Sequence, residues 1–140
     1  MRRRRQPQHV DAAVVAAVAV GGALGAAARY ASALLWPTAT GRFPTTTLLV
    51  NVVGCALIGI LLVLVTDVWA GRRLVRPFLG TGVLGGFTTF STYAVDTVQL
   101  LAAGRWATAF AYAVGTLAGA VLAVAVAASL TRRAVTRRLL

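Results

Sequence analysis

Between Gly85 and Asp96 the chain reads GGFTTFSTYAVD, which sets two adjacent glycines, the hydroxyls of Thr88, Thr89, Ser91 and Thr92, three aromatic rings and a carboxylate inside an apolar run. Hydroxyls donate and accept hydrogen bonds, ring edges carry partial positive charge, and a glycine pair is a weak point at which a helix can open and free its carbonyls. These groups solvate ions: freed carbonyls suit a hard cation such as Na⁺, and amide or hydroxyl donors suit an anion. Covalent chemistry has no comparable set. His9 is the single histidine and lies in a basic tail, where a solvated side chain is its expected role. Cys55 is the single cysteine and lies in an apolar run, where a small buried residue is expected. The acids are Asp11, Asp67 and Asp96 alone. With no metal-ligand spacing, no nucleophile beside a base and no paired carboxylates, an enzyme is not expected.

Membrane helices are the elements that must position these groups. Of 140 residues 59% are hydrophobic and 12% charged, about half the charge of a soluble domain. Four apolar runs are long enough to cross a hydrocarbon core of about 30 Å: roughly 12–36, 45–66, 77–102 and 106–130. Breakers and interfacial residues join them: Trp36-Pro37 with Gly41-Arg42, Trp69 with Gly71-Arg72-Arg73, and Gly104-Arg105-Trp106. The expected architecture is one all-α transmembrane domain over 1–140, with basic tails at 1–11 and 131–140 and the third helix broken at its polar run. The first run is too long for a signal-peptide core and contains Arg29-Tyr30, so a retained helix is expected.

Every basic residue is an arginine, and the net charge is +11. Four crossings put Arg2 to Arg5, Arg72, Arg73, Arg76, Arg132, Arg133, Arg137 and Arg138 on one side, against Arg42 and Arg105 on the other. Both termini are therefore expected in the cytoplasm, in a plasma-membrane protein. The basic tail has no stacking aromatics or base-reading groups beside it, so no nucleic-acid partner is expected. Gly21 and Gly25, and again Gly115 and Gly119, have the GxxxG spacing of closely packed helices.

Three stretches carry a resemblance over essentially the whole chain. GGALGAAARY (Gly21 to Tyr30), TLLVNVVGCALIG (Thr47 to Gly59) and GTGVLGGFTTFSTYAVD (Gly80 to Asp96) resemble the CrcB/Fluc fluoride channels. The resemblance implies an antiparallel dimer with two narrow fluoride pores and a structural Na⁺ at its centre, exporting fluoride passively. It implies that Asn51 is a pore donor with Thr47 one turn before it, and that Phe90 begins the pore's aromatic pair. The carbonyls of Gly85 and Thr88 match the Na⁺ site, Ser91 and Thr92 fall at polar pore-side positions, and Tyr112 and Thr116 match a polar track on the fourth helix. Ala120 stands one turn on, where family members carry a hydroxyl. The second aromatic is Tyr93, whose hydroxyl is expected to donate to fluoride or narrow the passage. The acid after it is Asp96 rather than glutamate.

Two expectations concern charge. Arg29 and Asp96 lie at similar depths on helices running the same way, so either they form an intramembrane ion pair or Arg29 snorkels outward and Asp96 bonds to nearby hydroxyls. The one-sided arginines disfavour insertion in both orientations, so a heterodimer with an oppositely oriented homologue is expected rather than a homodimer. Two other functions fit the size: a small four-helix multidrug exporter, which needs a carboxylate deep in the first helix, and a non-conducting scaffold subunit.

Overall fold

A computed structural model describes residues 11–39, 41–69 and 71–139, and the side chains as far as residue 137. The expectations for Arg2 to Arg5, His9 and the side chain of Arg138 lie outside the described residues. Helix α1 spans Ala12–Leu35, and the Asp11 carboxylate caps it by accepting from the Ala13 amide at 3.0 Å. Helix α2 covers Thr45–Val63 and continues through wide π-type turns over Leu64–Val68, closed by the Trp69 amide on the Leu64 carbonyl. Helix α3 has the same wide turns over Arg76–Leu84 and one regular turn over Gly85–Phe87. Helix α4 is Phe90–Ala102 and α5 is Trp106–Leu139.

The described residues are helical and form no strand, and Ala12–Leu35, Thr45–Val68 and Trp106–Arg137 are each long and apolar enough to cross a membrane. Between α3 and α4 the backbone is extended, with φ −74° and ψ 155° at Thr88 and φ −147° and ψ 120° at Thr89. At about 1.5 Å per residue the 13 residues of α4 reach only about 20 Å, short of a crossing by themselves. Helix α5 does not stop at residue 130 as the hydropathy suggested. The stretch TRRAVTRRL holds no glycine or proline, its arginines and alanine favour helix, and Thr131 and Thr136 donate back to the Ala127 and Arg132 carbonyls.

Glycines set how closely the helices approach. A side chain at Gly21 or Gly25 of α1 would run into the α3 backbone, and one at Gly86 into the Gly22 carbonyl, so α1 and α3 meet backbone to backbone. The α2–α5 approach uses Gly59, which lies against Val124 and Ala128; Gly119 touches only the Val52 side chain and Gly115 nothing. The second GxxxG spacing is therefore not the seam that joins α5 to α2. Two contacts tie the ends of the bundle. Arg73 is paired with Asp11 at one end, and the Arg105 guanidinium donates to the Gly41 carbonyl at 2.7 Å at the other.

The seam generates a matched pair of variants. Gly25→Ala forces a methyl into the Val83 carbonyl and is expected to destabilise by about 1–3 kcal/mol, whereas Gly22→Ala points into open space and is expected to be neutral or slightly stabilising. Thermal unfolding in detergent measures both; equal effects would place the seam elsewhere.

Candidate functional site

The site is organised by the extended residues Thr88 and Thr89. Leaving the helix frees peptide groups, and those that are buried must find a partner. The Asn51 side chain of α2 supplies two hydrogen bonds to one residue: Nδ2 donates to the Thr89 carbonyl at 2.9 Å and Oδ1 accepts from the Thr89 amide at 2.8 Å. From α1, Arg29 Nε donates to the Gly86 carbonyl at 3.1 Å. The Thr89 hydroxyl caps α4 by accepting from the Thr92 amide at 3.1 Å, and it donates to the Thr92 hydroxyl at 3.0 Å. Thr88 folds its hydroxyl back onto the Leu84 carbonyl at 2.9 Å.

A cleft of about 330 Å³ opens beside this clasp between α2, α4 and α5. Asn51, Phe90, Tyr93 and Thr116 line it, with Thr88, Thr89, Cys55 and Ala120. Thr116 is only 4% exposed, and its hydroxyl has no hydrogen-bond partner among the described residues. Phe90, by contrast, is 79% exposed on the single chain, with its ring 5.5 Å from that of Tyr93. Tyr93 continues to Tyr112 at 5.6 Å, and Tyr112 meets Phe43 edge-on at 5.6 Å, so the rings form a ladder from the open face into the core. No carboxylate is among the residues lining the cleft, which bring an amide and ring edges to it beside the buried Thr116 hydroxyl. Donor groups of that kind suit a small anion.

The other expected residues fall elsewhere. Thr47 and Thr92 line a smaller cleft of about 110 Å³ with Arg29, on the α1 side of Thr89. Ser91 is exposed and shares a hydrogen bond with the Thr89 hydroxyl at 3.2 Å. Tyr112 is fully buried. Gly85 is exposed, and a side chain there would meet nothing nearer than the Gly80 carbonyl at 3.7 Å.

Two expectations are narrowed to one of their alternatives. Arg29 and Asp96 do not pair: the guanidinium goes to the Gly86 carbonyl, and the Asp96 carboxylate accepts from the Tyr112 hydroxyl at 3.1 Å. Equal depth does not make two groups face each other. Helix α1 packs on α3, whereas α4 packs on α5, so the two side chains look to different neighbours. The Tyr93 hydroxyl is likewise committed, donating to the Ala113 carbonyl at 3.2 Å, which leaves the ring edge as its group toward the cleft. The roles of Thr89 as cap and Arg29 as partner of the break escaped sequence reasoning; the threonine three residues before Thr92, at the start of a helical run, was the available signal for the first.

Residues 16–128 match the family described as CrcB-like protein, Camphor Resistance (CrcB). The chain belongs to the CrcB family. It is 64% identical to the "Fluoride-specific ion channel FluC 2" of Streptomyces avermitilis over 82% of this chain and 73% of that protein. It is 57% identical to the "Fluoride-specific ion channel FluC 1" of Streptomyces coelicolor over 92% of this chain and 84% of that one. A second Streptomyces avermitilis protein, "Fluoride-specific ion channel FluC 3", is 48% identical over 89% of this chain and 61% of its own length. Family and apolar helices together make this CrcB chain a multi-pass membrane protein.

The clasp makes Asn51 a stability residue as well as a cleft residue. Asn51→Ala leaves the Thr89 amide and carbonyl unpartnered, at about 1–3 kcal/mol for each group. The expected result is a lower Tm in detergent and faster hydrogen exchange at the Thr89 amide. Unchanged exchange there would remove the clasp.

Proposed function

We propose that this CrcB-family chain is a fluoride-specific ion channel that lowers cytoplasmic fluoride by passive export. The observation that carries the reading is the cleft lined by Asn51, Phe90, Tyr93 and Thr116 with no carboxylate among them, together with the buried Thr116 hydroxyl that has no partner among the described residues. Fluoride is small and strongly hydrated, so a narrow path must replace its water with donors. Hydroxyl and amide hydrogens do so directly, and ring edges do so weakly enough for the ion to leave. The names of the relatives point to the same ion.

Four crossings are proposed, with α3 and α4 together forming the third. The Arg73–Asp11 pair and the Arg105–Gly41 hydrogen bond support this, since they join connections that four crossings put at the same end. The arginine distribution then places both termini in the cytoplasm. The working unit is proposed as an antiparallel dimer, in which the exposed Phe90 ring and the open face at Gly85 turn toward the second subunit. The donor set fits a structural Na⁺ there: Gly85 is uncovered, and Thr88, one turn on, has left the helix with its carbonyl. Two carbonyls from one chain fall short of the oxygens a hard cation takes, so a partner would supply the rest. When bound, the ion would supply positive charge beside these carbonyls.

A heterodimer with an oppositely oriented homologue is favoured over a homodimer by the arginine asymmetry. The two Streptomyces avermitilis relatives show that one organism can hold more than one such protein. A multidrug exporter is disfavoured because Asp11, the acid nearest α1, caps the helix end and is paired with Arg73. A scaffold would leave the unpartnered Thr116 hydroxyl without a purpose.

Thr116→Val separates the channel from the scaffold. It removes an unsatisfied buried hydroxyl at nearly constant shape, so stability should hold or rise slightly, while fluoride efflux from liposomes should fall about tenfold. Phe90→Ile should also slow efflux, since it removes the ring edge. Loss of stability in Thr116→Val with unchanged efflux would contradict the proposal.

A further inference from the structure

At the end of the bundle where Arg105 reaches the Gly41 carbonyl, a polar pocket of about 90 Å³ lies between the α1–α2 connection and α4. Thr38, Gly41 and Arg42 line it from the connection, and Asp96 and Gln99 from α4. One residue joins this pocket to the cleft between α2, α4 and α5. Tyr112 stands one turn before Thr116 on α5, its ring lies 5.6 Å from the Tyr93 ring, and its hydroxyl donates to Asp96 at 3.1 Å. An anion that leaves the cleft along that line meets a carboxylate. Asp96 is half-buried, a hydroxyl donor leaves its charge in place, and no cation pairs with it among the described residues. The pocket nevertheless has one cation in its wall. Arg105 is engaged at Gly41, whereas the Arg42 side chain is exposed and makes no hydrogen bond or ion pair among the described residues.

We propose that Arg42 offsets the Asp96 carboxylate across this pocket, so that fluoride passes the outer end of its path without facing an uncompensated negative charge. The inference rests on the channel reading. Like charges repel over several ångströms even beside water, and a cation in the wall of the same pocket cancels part of that field. Exposure limits what Arg42 does. Water and salt screen a solvated guanidinium, so it does not hold the ion and acts instead on the rate at which fluoride enters or leaves. Gln99 carries no charge and cannot take its place. Arg42 therefore acts through Asp96 rather than as a ligand, and what it contributes is charge rather than shape.

Fluoride efflux from liposomes tests this with Arg42→Gln, Arg42→Lys, Asp96→Asn and Arg42→Gln combined with Asp96→Asn, each reconstituted in the assembly in which the unmodified chain is purified. In about 10 mM salt, where the Debye length is about 30 Å, Arg42→Gln should slow efflux about two- to fivefold, the range of one exposed charge. In about 1 M of an impermeant salt the Debye length is about 3 Å, and the difference should shrink toward none. Arg42→Lys should keep most of the rate, because the charge remains. Asp96→Asn keeps an amide oxygen for the Tyr112 hydroxyl, and in its background Arg42→Gln should change the rate little. Thermal stability in detergent should be the same for Arg42→Gln as for the unmodified chain, since the side chain is exposed. Full-rate efflux by Arg42→Gln in low salt would overturn the inference. So would a loss that high salt leaves unchanged or that Arg42→Lys shares, since Arg42 would then act through shape. A loss equally large in the Asp96→Asn background would overturn it too, because the carboxylate would not be the group that Arg42 offsets. If Asp96→Asn alone stops efflux, the salt and lysine arms decide by themselves. Absence of fluoride efflux from the unmodified, correctly folded assembly is a separate result, which would overturn the channel reading and the Arg42 inference with it.

Discussion

A buried break between two helices needs partners in the protein for its freed peptide groups, and the rest of this molecule depends on the pairing of the Asn51 amide with the Thr89 backbone. One side chain satisfies both the donor and the acceptor of a single extended residue. Arg29 attends to the Gly86 carbonyl on the other side, and the Thr89 hydroxyl starts the next helix. The Thr116 hydroxyl is a buried donor that no group among the described residues takes up.

The reach of Asn51 is short, so the clasp requires close helices, and small residues provide them. Gly54, nearly one turn beyond Asn51, is where the Thr88 methyl and the Phe87 ring lie against the α2 backbone. Gly21 and Gly25 bring α1 onto α3, which puts the Arg29 guanidinium within hydrogen-bond distance of Gly86. In lipid, packing of this kind has no hydrophobic drive to assist it, and backbone proximity is the main source of attraction. Sequence, packing and site are thus one chain of cause: glycine faces allow proximity, proximity allows the clasp, and the clasp allows an extended backbone inside the bundle.

Much of this was legible in the residues. Hydropathy located the helices, because runs of apolar residues punctuated by Trp, Gly and Arg have few alternatives. The polar run from Thr88 to Thr92 marked where regular structure would fail, and Asn51 stood out as a lone amide in an apolar helix. Direction around a helix axis was not legible. Depth alone suggested an Arg29–Asp96 pair, yet α1 faces α3 while α4 faces α5, and Asp96 found Tyr112 instead. The Tyr93 hydroxyl reads as a free donor until a backbone carbonyl at Ala113 is seen to take it. Hydropathy likewise marks where lipid ends rather than where a helix ends, so α5 continues to Leu139 through arginines that favour helix.

Passage of fluoride in preference to larger anions is the property that a cleft of hydroxyl, amide and ring-edge donors should confer. Its most direct measurement is ion efflux from liposomes containing the purified assembly and loaded with equal fluoride and chloride, followed with two ion-selective electrodes. Rapid release of fluoride with retention of chloride is the predicted result. Release of both ions at similar rates, or of neither, would contradict it.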